Sequence, residues 1–104
     1  MAQLVATYRK PKDPVAFDKY YFETHVPLAK AMPGLRKYEV THGPIATPVG
    51  PSAYHLIATL HFDDLAAIAN AVASPQGRAA GADVRNFAPN ADDVELLLFD
   101  TREV

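Results

Sequence analysis

The ten residues AYHLIATLHF at positions 53–62 alternate regularly and decide the fold. A repeat of two residues is that of a β-strand with one face towards a core. One predicted face is entirely apolar: Tyr54, Leu56, Ala58, Leu60 and Phe62. The other is mixed: His55, Ile57, Thr59 and His61. This segment is therefore the clearest predicted strand of the chain.

Three further strands are predicted, at residues 3–8, 35–42 and 94–99, because these segments are rich in β-branched, aromatic or leucine residues and end at turn signals. Between two of the strands, residues 43–52 hold two glycines and three prolines. Such a composition favours a loop that neither pairs as a strand nor forms a helix.

The first helix is predicted to begin at Asp13-Pro14, an N-cap acid followed by proline at the first helical position. Phe17, Tyr21, His25 and Leu28 follow at helical spacing on one face. Pro27 lacks an N–H group and disfavours helical geometry at the preceding residue. We therefore expect a kink or break there, with a short helical piece over 29–32.

The second helix is predicted from Asp63 and Asp64 as caps, with Leu65, Ile68, Ala69 and Val72 at helical spacing. Ser74-Pro75 breaks it and opens a further helical stretch towards residue 87. The order is then strand, helix, strand, strand, helix, strand. This order predicts an α+β fold of the ferredoxin-like type, a four-stranded antiparallel sheet with both helices on one face.

Size and charge narrow the class of protein. The chain has 104 residues, which suits a single domain over 1–104. Ten Lys and Arg against twelve Asp and Glu give a net charge of −2, so a nucleic-acid partner is not expected. The absence of cysteine excludes disulfides, thiolate nucleophiles and Cys-type zinc sites. The N-terminus resembles no targeting segment and no apolar run could span a membrane, so we expect a cytoplasmic protein without a membrane partner.

The strand at 94–99 is apolar at almost every position, so both of its faces need cover. One layer of helices covers only one face of a sheet, whereas a half-exposed antiparallel sheet alternates apolar with polar. A second copy of the chain is the economical cover, because two-fold dimers are the commonest oligomers. The sequence therefore predicts a homodimer.

Several motifs resemble those of the EthD family, a branch of the dimeric α+β barrel proteins. They are the segments 17–28 (FDKYYFETHVPL), 32–40 (MPGLRKYEV), 62–65 (FDDL), 74–75 (SP) and 98–100 (LFD). Each is weak alone, but their order and spacing are specific, and together they cover nearly the whole chain. The resemblance implies a ferredoxin-like fold whose sheets pair face to face in a dimer.

Characterised relatives implied by this resemblance include 4-methylmuconolactone methylisomerase, aromatic polyketide cyclases and cofactor-free monooxygenases. The methylisomerase pattern places an acid/base pair at His25 and Tyr38. That enzyme also uses a cysteine, which this chain lacks. The resemblance therefore carries over the histidine and the tyrosine but not the same reaction.

His25 and Tyr38 are the candidate catalytic residues. An imidazole with an ordinary pKa near 6.5 can act as acid or base at neutral pH, and Tyr21, one helical turn earlier, could orient it. The alternative is that His25 only satisfies backbone groups at the kink. Tyr38 could hold a substrate oxygen or could be a core aromatic with a satisfied hydroxyl. The candidate substrate-binding residues are Phe17, Tyr21, Leu28, His42 and His55.

No metal or cofactor is expected. His55 and His61 lie six residues apart on one strand, roughly 20 Å, and cannot share an ion. His42 and His55 flank the loop but have no evident third ligand. Phosphate-binding and nucleophile-elbow motifs are absent.

Three functions stay open from the sequence. The first is cofactor-free acid/base catalysis, of isomerase, cyclase or oxygenase type, on a small hydrophobic oxygenated metabolite. The second is a non-catalytic ligand-binding or accessory protein of an oxygenase system. The third, a purely structural oligomer, predicts that side chains fill the cavity.

Overall fold

The computed structural model describes all 104 residues. In chain order the strands and helices are β1 (Ala2–Arg9), α1 (Pro14–Tyr20), a π-helical turn (Tyr21–His25), α2 (Val26–Lys30), β2 (Lys37–Val40), β3 (Ala46–Thr47), β4 (Gly50–Pro51), β5 (Tyr54–Phe62), α3 (Leu65–Ala73), α4 (Pro75–Asp83) and β6 (Val94–Asp100). Short 3₁₀ turns lie at Val84–Asn86 and Ala91–Asp93.

The main sheet has the order β2-β5-β1-β6, and every neighbouring pair is antiparallel. The helices pack on one of its faces, where Tyr8, Leu56, Ala58, Leu60 and Phe62 are buried. The predicted ferredoxin-like α+β fold is therefore confirmed. None of the helices has the length and apolar run that crossing a membrane requires.

Pro27 does not break the first helix as expected. The chain stays helical from Pro14 to Lys30, and the Val26 N–H donates to the carbonyl of Tyr21, five residues back. A proline ring removes one backbone donor and clashes with the preceding turn of a regular α-helix. The wider π-helical turn just before Pro27 absorbs this conflict, and the short helical piece predicted at 29–32 lies earlier, at Val26–Lys30.

The loop at 43–52 was expected not to pair, and this expectation is wrong. Ala46 faces Pro51 and Thr47 faces Gly50 in a small antiparallel hairpin. The Thr47 hydroxyl donates to the Gly50 carbonyl at 2.9 Å and so closes the turn. Proline is tolerated in this two-stranded ribbon because every strand of it is an edge.

The predicted faces of β5 are wrong at its first two residues. Tyr8 of β1 pairs with Leu56, but the next residue, Arg9, pairs with Tyr54, so His55 is an extra residue in a β-bulge. A bulge redirects the side chain beside it. His55 consequently contacts α1 on the helix side of the sheet, whereas the alternation predicted it on the mixed face.

The second helical region is two helices that meet at Ser74. Ser74 ends α3 and caps α4, since the Gly77 N–H donates to the Ser74 hydroxyl at 3.0 Å. Ile68 and Ala71 of α3 are buried, but Leu65 and Val72 stay 47% and 44% exposed. The apolar face of α3 is thus narrower than its sequence spacing predicts.

Candidate functional site

His25 lies in the π-helical turn and is buried between the sheet and α4. Its Nδ1 atom lies 3.0 Å from Oδ2 of Asp83, the last residue of α4, which is equally buried. The other carboxylate oxygen of Asp83 accepts from the Tyr20 hydroxyl at 2.5 Å and from the Asn86 side-chain amide at 3.0 Å. Asp83 is therefore held by three side chains.

The charges of this pair follow from burial and hydrogen bonding. Burial by itself raises the pKa of Asp83, but hydrogen bonds from Tyr20, Asn86 and His25 outweigh it and hold the pKa below the ordinary 3.8. Burial lowers the pKa of His25 below 6.5, and Asp83 offsets this only in part. At neutral pH a neutral imidazole thus faces a carboxylate. Nδ1–H donates to Asp83, and Nε2 keeps its lone pair.

Two tyrosine hydroxyls meet nearby. Tyr38 projects from β2, and its oxygen lies 2.6 Å from that of Tyr21 in the π-helical turn. Burial is the main cause that raises the pKa of both phenols, so both remain protonated. When Tyr21 donates to Tyr38, the hydrogen of Tyr38 is free for a ligand oxygen.

A cavity of about 110 Å³ brings these groups together between the sheet and the helices. His25, Tyr38, Tyr21 and Tyr8 all line it, and thirteen of its sixteen lining residues are hydrophobic, so the few polar atoms are set in apolar walls. An engineered cavity of about 150 Å³ binds benzene, which indicates a ligand of only a few heavy atoms here. The cavity is not filled by side chains, contrary to what a purely structural oligomer predicts.

The remaining predicted ligand-contacting residues lie outside this cavity. Phe17 stacks on Tyr21 with ring centroids 5.9 Å apart and supports it from behind. Leu28 is half-buried and packs against the core. His42 and His55 line a separate groove of about 690 Å³. Of the five residues proposed to contact substrate, only Tyr21 therefore joins His25 and Tyr38.

Asp83 is the polar residue of the site that the sequence reasoning missed. Its signal was present, because Asp83 follows Ala80 by three residues and precedes Phe87 by four, which places an acid on the packed face of a helical stretch. A buried acid needs a partner, and the histidine of the first helix is the available one.

The histidines do not converge on a metal position. His55 Nε2 lies 2.7 Å from an oxygen of Asp18, and His61 Nε2 lies 2.8 Å from an oxygen of Glu39, at opposite ends of β5. The structure contains no group of three or more His, Cys, Asp or Glu side chains that could hold a metal ion.

The fold places the chain among ferredoxin-like α+β proteins, several of them dimeric. It superposes with a TM-score of 0.68 on SnoaB, a cofactor-independent oxygenase from Streptomyces nogalater, at 16% identity over 99% of this chain and 94% of the other. A dimeric ferredoxin-like protein of unknown function from Jannaschia sp. CCS1 matches with a TM-score of 0.67 and 18% identity, over 97% and 100% of the two chains.

Sequence similarity identifies the family. Residues 9–90 match the EthD domain. An EthD family protein from Bacillus halodurans C-125 superposes with a TM-score of 0.89 at 34% identity, over 98% of this chain and 99% of the other. An uncharacterised 11.0 kDa protein from the thcB–thcC intergenic region of Rhodococcus erythropolis is 38% identical over 104 residues, 100% of this chain and 98% of that protein. The chain belongs to the EthD family, as its motifs predicted.

Proposed function

We propose that this protein is a cofactor-free acid/base catalyst that acts on a small hydrophobic oxygenated molecule in the His25–Tyr38 cavity. The observation that carries the proposal is one apolar cavity lined both by the imidazole of a buried His–Asp pair and by a pair of tyrosines. Water competes weakly in such a space, so hydrogen bonds to a ligand oxygen are strong.

In the proposed reaction, Nε2 of His25 removes a proton from a carbon next to a carbonyl group. The electron pair of the broken C–H bond moves into the carbonyl, and Tyr38 donates a hydrogen bond to the resulting enolate oxygen. Asp83 keeps the imidazole in the Nδ1–H tautomer and stabilises the imidazolium that forms. Where a carbon–carbon double bond adjoins the enolate, His25 then returns the proton to the far carbon of that bond, the double bond moves into conjugation with the re-formed carbonyl, and the ligand is isomerised without any added reagent.

The same enolate could instead attack a second carbonyl group within the ligand, which closes a ring, or react with dioxygen. A structural neighbour described as a cofactor-independent oxygenase is the reason to keep the last reaction in the proposal. All three reactions begin with proton removal by His25. The proposal therefore concerns this common step and not a particular product.

A homodimer is part of the proposal. Leu97 of β6, on the sheet face opposite the helices, is 44% exposed in the single chain, and Leu96 and Leu98, on the helix side, are 56% and 55% exposed. Dimeric proteins occur among the structural neighbours. A second copy that covers the open face of the sheet would bury the exposed Leu97.

The second candidate is a non-catalytic protein that binds a small ligand and assists an oxygenase system. Three observations favour it. The cavity is small, and the Tyr21 and Tyr38 hydroxyls already satisfy each other at 2.6 Å. The relative from Rhodococcus erythropolis is encoded between two other genes, thcB and thcC, as an accessory protein could be.

Proton exchange in D₂O tests the proposed step without knowledge of the substrate. Cyclohexanone is a ring ketone of the size that the cavity suggests, and its carbon-bound protons next to the carbonyl exchange with deuterium when a base removes them. We expect the protein to accelerate this exchange, followed by NMR. His25→Gln should reduce the acceleration by roughly 10²–10⁴ and Tyr38→Phe by a smaller factor, with binding of the ketone largely retained.

Tyr54→Phe is the matched control, because Tyr54 lies outside the cavity and should leave the exchange rate unchanged. Exchange that is as fast in His25→Gln as in the wild type would contradict the role of His25. Ketone binding with no accelerated exchange in any variant would favour the non-catalytic protein.

A further inference from the structure

The groove that contains His42 and His55 is separate from the catalytic cavity and much larger. It has a volume of about 690 Å³ and lies between the β1–α1 connection, the first turns of α1 and the 41–51 segment. Pockets for small organic ligands usually measure about 300–1,000 Å³. Phe17 separates the groove from the cavity, since its ring contacts His55 edge-on and stacks on Tyr21.

The charges around the groove favour an anion. Lys10 and Lys12 line it, and neither ammonium group lies within ion-pair distance of a carboxylate. The single acidic residue of the lining, Asp18, bonds to His55. This excess of positive charge is local, because the whole chain has a net charge of −2.

His55 is held in a fixed position in the wall of the groove. The β-bulge turns it towards α1, where Nε2 lies 2.7 Å from Asp18 and the ring meets Phe17 at a centroid distance of 5.1 Å. Its side chain keeps 21% of its surface exposed, and Nδ1 has no hydrogen-bond partner within the protein. Bulges often re-aim a side chain in this way beside a binding site.

The rest of the lining supplies rigid apolar surface. Four prolines and the rings of one phenylalanine and one tyrosine contribute to it: Pro11, Pro14, Pro44, Pro51, Phe22 and Tyr54. Proline rings lose little conformational entropy when a ligand covers them, since their backbone is already restricted. A flat apolar body suits such walls.

We propose that this groove is a second binding site, for a small organic anion that joins a carboxylate or phosphate group to a flat apolar ring. Lys10 and Lys12 attract the anionic group, and the proline walls and Phe22 contact the ring. His55 Nδ1 offers a further polar contact at the wall. This inference does not depend on the chemistry proposed for the cavity.

Binding of three probes tests the site: benzoate, phenyl phosphate and the neutral benzyl alcohol, followed by calorimetry and by NMR shifts of His42 and His55. We expect both anions to bind more tightly than benzyl alcohol, and more weakly as salt is added. The stronger anion identifies the preferred head group. Lys10→Gln and Lys12→Gln should each raise the Kd about two- to fivefold, whereas Lys30→Gln, at a residue that does not line the groove, should not change it.

Asp18→Asn should change the Kd of the anions in the opposite direction, since it removes the negative charge of the groove and keeps an acceptor for His55. It should tighten anion binding. Three results would overturn the proposal: equal affinity for benzyl alcohol and the anions, equal effects of Lys12→Gln and Lys30→Gln, or NMR shifts confined to His25 and Tyr38. The His25→Gln variant should bind the anions normally, which separates this site from the cavity.

Discussion

At the scale of the residue, the informative contact is the one between His25 and Asp83. Burial disfavours the charged form of both side chains. Only the histidine is neutral, however, because three donors stabilise the charged carboxylate of Asp83. The result is a neutral imidazole whose tautomer is set by its partner. A base with this arrangement can accept a proton in the cavity at neutral pH.

The depressed pKa of His25 predicts how stability varies with pH. The unfolded chain takes up a proton near pH 6.5, before the folded chain does, so acidification favours unfolding. The free energy of unfolding should therefore fall as the pH drops below about 6.5, and His25→Gln should show a smaller fall. Urea denaturation at pH 7.5 and pH 5.5 measures both. An equal fall in the wild type and the variant would contradict a buried neutral His25.

At the scale of the element, the helix starts were predictable and the irregularities were not. Asp13 and Asp64 cap α1 and α3 through bonds to residues three positions later, so the signals are local in the sequence. The π-helical turn, the bulge at His55 and the hairpin at Ala46–Thr47 and Gly50–Pro51 each depend on a neighbouring element. The spacing of apolar residues within one segment, with a period of two or 3.6, does not show which other segments pack against it.

The junction of α3 and α4 depends on a glycine without a side chain. A Cβ atom on Gly77 would overlap the Ala71 carbonyl oxygen and lie 2.8 Å from Cα of Val72, both backbone atoms that cannot rotate away. We expect Gly77→Ala to destabilise the protein by about 1–3 kcal/mol, as overpacking does. Chemical denaturation provides the measurement.

Gly81 of the same helix is the matched control. No atom lies within 4 Å of a Cβ placed there. Alanine is the better helix former, so Gly81→Ala should be neutral or stabilise by up to about 1 kcal/mol. If both substitutions had the same effect, helix propensity and not the close approach of α3 would explain the role of Gly77.

At the scale of the whole molecule, the candidate site combines residues that are distant in the chain. His25 and Tyr38 could be singled out from the family motifs, but Asp83 lies 58 residues from His25, and their contact needs the folded α4 against the first helix. Likewise, only the structure separates His42 and His55 from the cavity. Local motifs thus indicate individual candidate residues, whereas the topology of the fold determines which of them lie together in one site.

The proposed dimer can be tested by the mass of the protein in solution. Leu97 pairs with Val5 and Thr7 with Ile57, and these residues share the sheet face opposite the helices. The exposed Leu97 cannot be covered within one chain, so a second copy should hide it. Sedimentation equilibrium at micromolar concentration should give twice 11.3 kDa for the wild type. Leu97→Glu should shift the protein to the single-chain mass, because an unpaired carboxylate would be buried in the interface.

Leu65→Glu supplies the control for this substitution, since Leu65 is a comparably exposed leucine on α3 and not on the open sheet face. It should remain dimeric. A wild type that sediments at 11.3 kDa would show that the apolar residues of β6 stay exposed to water. Dissociation by both substitutions would instead contradict an interface confined to the open face of the sheet.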